Sequence, residues 1–322
     1  MTIHLTRSSL RDTRPEIQSL NFFDADALSD AVRSSNFEHV QLERGNFQAE
    51  LKHLNLGRLT IDSGCYTRKL IARGDFPAGK IILGCVLDNR EEGCINGYRF
   101  RRNDVVIFPE GAELDYLLPA ATNWCAIQLS EALLEEAGCA EMRPRQIMVL
   151  PGNRHLVELT GRLVNGYTPD SASGVLRTAL PPLASEENLL DQIGQILIRY
   201  FGKDASVRRP SLHKRMSIIR QFEHKVRERI DTPIRIPDLC AELGVSNRVL
   251  EYLVKEDIGM TPKQYANVLR LNAVRQELLE TSRENGAILN IAMRHGIKHP
   301  GRFAADYRRL FGELPSRTLR MR

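Results

Sequence analysis

The chain has 322 residues, of which 42% are hydrophobic, and a formal net charge of +5. This length and apolar content predict two packed domains and argue against a disordered chain. No run of about 18 apolar residues occurs, and the N-terminus lacks an apolar segment, so we expect neither a membrane-spanning helix nor a secretory signal peptide.

The charge is divided unevenly along the chain. Residues 206–322 contain 23 Lys and Arg against 13 Asp and Glu, so they carry +10 and residues 1–205 carry −5. A basic part joined to an acidic part is typical of a polyanion-binding module attached to a second domain. Unequal charge between domains also occurs without nucleic-acid binding, so the charge needs support from motifs.

Cysteine usage indicates the redox environment. The six cysteines form no CxxC pair and no zinc-like spacing. We therefore expect free, mostly buried thiols in a reducing cytoplasm.

Residues 46–129 have the pattern of a β-rich domain. Short apolar or alternating runs are separated by glycines and prolines, and Asn96-Gly97 before Tyr98 predicts a type I′ hairpin. This texture predicts a barrel or a two-sheet sandwich. The predicted strands cover residues 47–51, 59–61, 66–71, 80–83, 105–108, 114–118 and 124–129.

Helical spacing begins after this segment. Two helices are predicted at about 155–165 and 186–201, followed by a basic, polar linker at 202–210. The second helix carries an apolar stripe, which is either a dimer seam or packing within the chain. The stripe consists of Leu189, Ile193, Ile196 and Leu197.

The C-terminal part is predicted to be entirely helical. Gly244 ends one short helix, and Ser246 is a suitable N-cap for the next. Thr261-Pro262 begins a helix that runs to about Glu280, roughly 27 Å long at 1.5 Å per residue. It joins two helix-turn-helix units, residues 236–257 and 288–311.

The second helix of a helix-turn-helix enters the major groove of DNA, where base edges differ in their donors and acceptors. In the first unit, Val249, Leu250 and Leu253 are expected in the core, which leaves polar residues on the opposite face. We predict base reading by Arg248, Glu251, Tyr252, Pro300, Gly301 and Arg302. We predict DNA-backbone contacts by Ser246, Asn247, Lys255, Lys298, His299, Arg308 and Arg309. Ala305 also lies toward the groove.

A single unit of this kind is weak evidence, because small helical bundles also bind protein or nothing. Two basic units in tandem are stronger evidence, since a rigid connecting helix could hold the reading helices about one DNA turn, roughly 34 Å, apart.

The C-terminal residues resemble the AraC/XylS family of transcription regulators, over about residues 216–322. The family usually has an aromatic residue at position 254 and phenylalanine at 297, where Val254 and Ile297 stand here, and often arginine where Ala305 stands. The resemblance implies groove-facing roles for Arg248, Glu251, Tyr252, Pro300, Gly301, Arg302 and Ala305. The matching residues are Leu239, Ala241, Gly244, Ser246, Leu250, Lys255, Gly259, Pro262, Tyr265, Arg270, Leu271, Ile291, Ala292, Gly296, Phe303, Tyr307, Arg308, Phe311, Gly312 and Pro315.

The β-rich part looks like the cupin-like sensor domain that often precedes such a module. In such regulators a small-molecule effector binds inside the barrel; Tyr116 and Trp124 are candidate effector-binding residues or ordinary core aromatics. His53 is the only histidine between residues 46 and 129, so we expect no metal site and no cofactor.

The predicted fold is therefore two-domain α+β: a β-barrel or cupin-like N-terminal domain with following helices, and an all-α C-terminal domain. The predicted domains are a sensor at 1–150, a helical dimerisation or linker region at 151–205, and a DNA-binding domain at 206–322.

The predicted function is a cytoplasmic, sequence-specific, effector-responsive transcription activator and not an enzyme. Its expected partners are double-stranded DNA, RNA polymerase, a small-molecule effector and a second copy of the chain. The alternatives are a cupin-type enzyme with a DNA-binding tail, and a sensorless regulator acting through protein partners.

Overall fold

The computed structural model describes residues 16–25, 27–28, 37–136, 144–169, 176–178, 185–201, 213–281 and 286–320. The predicted linker at 202–210 lies outside these residues. None of the described helices has the length and hydrophobicity needed to span a bilayer.

Two antiparallel sheets form most of the N-terminal part. The larger, sheet A, has the order β1-β3-β4-β11-β6-β9-β12, and the smaller, sheet B, has the order β2-β5-β10-β7-β8. The bounds are β1 Glu16–Phe22, β2 Glu38–Gln41, β3 Ala49–Asn55, β4 Thr60–Tyr66, β5 Leu70–Asp75, β6 Lys80–Asp88, β7 Gly93–Ile95, β8 Tyr98–Phe100, β9 Val105–Phe108, β10 Glu113–Leu118, β11 Asn123–Ser130 and β12 Met148–Leu150. A short ribbon of β13 (Tyr167–Pro169) and β14 (Leu176–Thr178) follows.

The sequence located most of these strands but misplaced some. The run predicted at 66–71 is divided, since Tyr66 ends β4 and Leu70 begins β5. The turn between them is tied back to the neighbouring segment by Thr67 N–H, which donates to Gln48 O at 2.9 Å. Strands β1 and β2 were missed because they are short or lie at a sheet edge, where a strand lacks a continuous apolar pattern.

The predicted hairpin at Asn96-Gly97 is confirmed. It joins β7 to β8, and both turn residues have positive φ, 48° at Asn96 and 84° at Gly97. A type I′ turn requires this conformation at both central positions.

Three helices lie between β11 and the C-terminal part: α1 (Glu131–Glu136), which precedes β12, and then α2 (Arg154–Gly166) and α3 (Glu186–Phe201). The apolar stripe of α3 is buried within the chain, in a core shared with α2 and the outer face of sheet A. Of the two predicted roles, a dimer seam or packing within the chain, the stripe has the second, because packing on the sheet removes it from water.

The C-terminal part is all helix among its described residues, as predicted. The helices are α4 His213–Glu228, α5 Ile236–Leu243, α6 Asn247–Asp257, α7 Pro262–Glu280, α8 Ala287–Arg294, α9 Pro300–Phe311 and α10 Pro315–Thr318. One core joins α4–α6 to the first half of α7, and another joins α8–α10 to the second half. The predicted α+β fold class is thereby confirmed.

Sheet B has two buried faces. Its inner face meets sheet A across an aromatic-rich core that includes Tyr66, Phe100 and Tyr116. Its outer face contributes Ile71 and Leu117 to the same core as α4 and α7. Since successive strand residues point to opposite faces, β5, β7 and β10 each contribute to both the inter-sheet core and the core shared with the helices.

Candidate DNA-binding interface and effector cavity

The first helix-turn-helix unit is built by local signals. Gly244 ends α5 with φ 64°, a left-handed conformation that suits glycine, and Ser246 caps α6 by accepting from Val249 N–H. Leu250, Leu253 and Val254 are buried, at the i, i+3, i+4 spacing of one helix face.

The other face of α6 is open to solvent. All five predicted contact residues of this helix are exposed there: Asn247, Arg248, Glu251, Tyr252 and Lys255. The prediction that Val249 lies in the core was wrong, since it is 43% exposed. It lies about 100° around the helix from Leu250, between the buried face and the reading face.

A residue outside the motif orients Tyr252. The guanidinium of Arg215, on α4, lies 5.3 Å from the centre of the Tyr252 ring. Arg215 is itself held by Asp257, with Nε and Nη2 at 3.0 and 2.9 Å from the two carboxylate oxygens. Arg215 was not predicted from the sequence, because it lies 37 residues before Tyr252 and no local signal links the two.

The second unit has the same design. Phe303, Tyr307, Leu310 and Phe311 are buried along one face of α9, and Gly312 ends the helix with φ 77°. The opposite face and the preceding turn expose Lys298, His299, Gly301, Arg302, Ala305, Arg308 and Arg309. Pro300 is the first residue of α9.

Arginine side chains on this face remain accessible. Arg302 is 82% exposed, and its Nε lies 3.5 Å from Asp306 Oδ2 one turn later. Arg309 Nη1 lies 3.1 Å from the same carboxylate. Exposed pairs of this kind are weak, so DNA phosphates or bases can displace Asp306.

Helix α7 connects the two units. It begins with a capping box, in which Thr261 and Gln264 satisfy each other's backbone N–H groups. Its 19 residues span about 28 Å. Two cores along one rigid helix therefore place both reading helices on the same scaffold.

A cavity of about 90 Å³ lies between the two sheets. Both predicted effector residues, Tyr116 and Trp124, line it. The Trp124 indole lies across Gly64, where an added Cβ would come within 2.8 Å of the ring. The other aromatic residues of the lining are Phe37, His39, Tyr66, Phe76 and Phe108.

The described lining contains no basic residue other than a histidine. It includes two carboxylates, Asp62 and Asp104, but no lysine or arginine. Burial lowers the pKa of His39 to about 4, so its ring is neutral at pH 7. The described residues contain no cluster of His, Cys, Asp and Glu that could hold a metal ion. His53 is instead engaged by Asp62, with Nδ1 and Oδ1 2.6 Å apart.

Comparison with known proteins supports the reading of the helices. A family model described as a helix-turn-helix domain matches residues 239–321. A probable thc operon regulatory protein of Rhodococcus erythropolis is 33% identical over 88 residues, 27% of this chain and 26% of that protein. The XylDLEGF operon transcriptional activator 1 of Pseudomonas putida is 29% identical over 198 residues, 60% of each chain.

Residues 239–321 are therefore similar to the helix-turn-helix domain of AraC/XylS-type transcription regulators. A solved structure from Chromobacterium violaceum, a transcriptional regulator with an AraC-type DNA-binding domain, is 30% identical to the matching part of this chain. It covers 32% of this chain and 90% of its own, with a TM-score of 0.30. This chain spans about a quarter of the first curated relative and 60% of the second.

Proposed function

We propose that this protein is a sequence-specific DNA-binding transcription regulator that activates its target promoters. The observation that carries the proposal is the pair of helices α6 and α9, each with a buried apolar face and an exposed polar or basic face, on one connecting helix. A helix of this kind fits the major groove, and two of them read adjacent segments of one duplex.

Each exposed residue has a role suited to its chemistry. Arg248 and Arg302 can each bridge O6 and N7 of a guanine, and Glu251 can accept from N4 of a cytosine. Val249 adds an apolar surface that suits the methyl group of thymine. Tyr252, Pro300 and Gly301 complete the base-reading set, and the backbone contacts are assigned to Ser246, Asn247, Lys255, Lys298, His299, Arg308 and Arg309.

Removing a base-reading arginine should weaken specific binding more than non-specific binding. We expect Arg248→Ala and Arg302→Ala each to cost about 1–3 kcal/mol on a selected operator. Their effect on random duplex DNA should be much smaller, because phosphate contacts dominate there. Titrations of both DNAs at one fixed salt concentration measure the difference.

The control for this comparison is Arg235→Ala. Arg235 is exposed but outside the proposed interface, so its replacement should change neither affinity. Equal losses on operator and random DNA would show that Arg248 and Arg302 contact phosphates only.

The N-terminal part is proposed to sense an uncharged, mostly apolar small molecule in the cavity. Aromatic walls and a neutral His39 favour such a ligand over an anion, which would lack a cationic partner among the described lining residues. A cavity of about 90 Å³ holds only a few heavy atoms. A larger ligand would have to displace lining side chains such as Tyr116 or Trp124.

Trp124 is the only tryptophan of the chain, so its fluorescence reports on the cavity. Titration with small neutral aromatic compounds should change that emission, and the bound compound should shift operator affinity. The shift is required by linkage, since an effector acts only through different affinities for two protein states. Trp124→Phe provides the optical blank, and operator affinity unchanged by every compound that binds would contradict sensing.

Activation of transcription also implies contact with RNA polymerase, and a homodimer would double the number of DNA segments read. Both belong to the proposal. Since the α3 stripe is buried within the chain, a dimer must use another surface. We also propose that the protein is cytoplasmic, because a regulatory, non-catalytic role requires access to the chromosome.

A further inference from the structure

The N-terminal part of the chain contacts the C-terminal end of α9, the reading helix of the second unit. Leu310, in the last turn of α9, has a carbonyl without a partner in its own helix. That oxygen accepts from Gln41 Nε2 at 2.8 Å and from Gly45 N–H at 2.9 Å. Gly45 has φ 110°, a conformation that favours glycine, and Gln41 is buried.

The N-terminal part also contacts the C-terminal end of α6, the reading helix of the first unit. Lys69 Nζ, between β4 and β5, donates to the carbonyl of Ile258 at 3.2 Å and lies 3.4 Å from that of Asp257. Both carbonyls terminate α6. A cation there complements the negative end of the helix dipole.

Strand β2, which ends at Gln41, also contacts the connecting helix α7. The Asn272 side chain on α7 accepts from Gln41 N–H at 3.0 Å and donates to Gln41 O at 3.1 Å. Gln41 therefore joins α7 through its backbone and α9 through its side chain. Around these bonds, the outer face of sheet B shares a core with α4 and α7.

These contacts leave the reading faces open. Arg248, Glu251 and Tyr252 on α6 and Arg302 on α9 are exposed while the sheet is docked. A contact that only blocked DNA would cover those faces. The bonds instead go to the C-terminal ends of α6 and α9 and to the connecting helix, so the N-terminal part contacts all three helices at once.

We propose that Gln41, Gly45 and Lys69, the clamp residues, set the distance and angle between the two reading helices and thereby select operators by the spacing of their half-sites. This inference rests on the proposed function. Strand β2 also carries His39, which lines the cavity, so one strand contacts both the cavity and the reading unit.

The test uses the whole 322-residue chain and an operator selected by the wild type from random duplex DNA. Affinity is measured for that operator, for derivatives with one base pair added or removed between half-sites, and for a single half-site. One base pair moves a half-site by about 3.4 Å. The wild type should bind the altered spacings with about tenfold or more lower affinity than the selected operator, since losing one good base contact lowers affinity by that much.

The variants are Gln41→Leu, which removes the donors at similar volume, and Lys69→Met, which removes the charge and keeps the stem. For each variant, the affinity for the altered spacings should be less than about threefold below its affinity for the selected operator. The affinity for the single half-site should be unchanged from that of the wild type. The matched controls are Gln48→Leu and Lys52→Met, which lie outside the contact and should keep the wild-type discrimination. If Gln41→Leu fails to fold, Lys69→Met decides the result.

Wild-type discrimination in both folded variants would overturn the proposal. Equal losses on every DNA, the half-site included, would also overturn it, because they indicate general damage to the domain. Failure of the wild type to select any sequence would overturn the proposed function itself, and the spacing role with it.

Discussion

Replacement of Arg73 by methionine should lower the free energy of unfolding by about 3–5 kcal/mol, the usual effect of removing one partner from a buried ion pair. Arg73, on β5, contacts both carboxylate oxygens of Glu223 on α4, with Nη2 at 2.8 Å from Oε1. Its Nε donates to Asp115 on β10 at 2.9 Å. The two acids are only 3% and 4% exposed.

The cost arises because both carboxylates would remain buried with fewer partners. Arg220 Nε lies 3.0 Å from Asp115, and Tyr265 donates to Glu223, but neither replaces the guanidinium. Burial opposes the charge on Arg73, yet the carboxylates of Glu223 and Asp115 raise the pKa of Arg73 above its ordinary value. The guanidinium of Arg73 therefore stays charged at neutral pH.

Urea titrations followed by circular dichroism measure this loss. Arg99→Met is the control, because Arg99 pairs with Glu92 in an exposed position and should cost about 0–1 kcal/mol. Adding Glu223→Leu to Arg73→Met should recover part of the loss, since the uncompensated charge is removed with its partner. A loss no larger than that of the control would contradict the assignment.

Arg275→Met should destabilise the second helix-turn-helix unit by about 3–5 kcal/mol for the same physical reason. Arg275, on α7, is 5% exposed, and its Nη1 donates to Glu313 Oε1 at 2.7 Å and to Thr318 Oγ1 at 3.2 Å. Its guanidinium also lies 4.9 Å from the centre of the Phe311 ring. These contacts anchor the end of α9 and the end of α10 to the connecting helix.

Amide hydrogen exchange can localise this effect. Exchange in α9 should accelerate in Arg275→Met, whereas α4 and α6 should be less affected because they belong to the other core. Arg317→Met is the matched control, since Arg317 contacts the same Glu313 at 3.6 Å but is largely exposed. Uniform acceleration in every helix would argue against a local anchor.

Signals for the helix-turn-helix units are short-range, which is why the sequence located them well. Ser246 was predicted as a cap from its residue type, and the structure confirms the bond to Val249 N–H. Gly244 was predicted to end α5, and it does so with a left-handed backbone. Such signals act between residues a few positions apart, so they can be recognised without knowing the fold.

The reading faces were predicted by helical spacing, with one error. Spacing placed Val249 with Leu250 in the core, but only the face of Leu250, Leu253 and Val254 has a helix to pack against. Whether a residue between the apolar and polar faces of a helix is buried depends on the elements that pack beside that helix. The roles assigned to Arg248 and Arg302 remain predictions until DNA binding is measured.

Composition and local patterning by themselves determined a β-rich part followed by helices, two tandem helix-turn-helix units and a basic C-terminal part. Only the tertiary structure decided that Gln41 bonds to Leu310, 269 positions later, that Lys69 caps α6, and that Arg73 pairs with Glu223. The reason is physical: a cap or a turn is decided by neighbours along the chain. A buried polar side chain instead takes whichever partner the packed surfaces bring within about 3 Å.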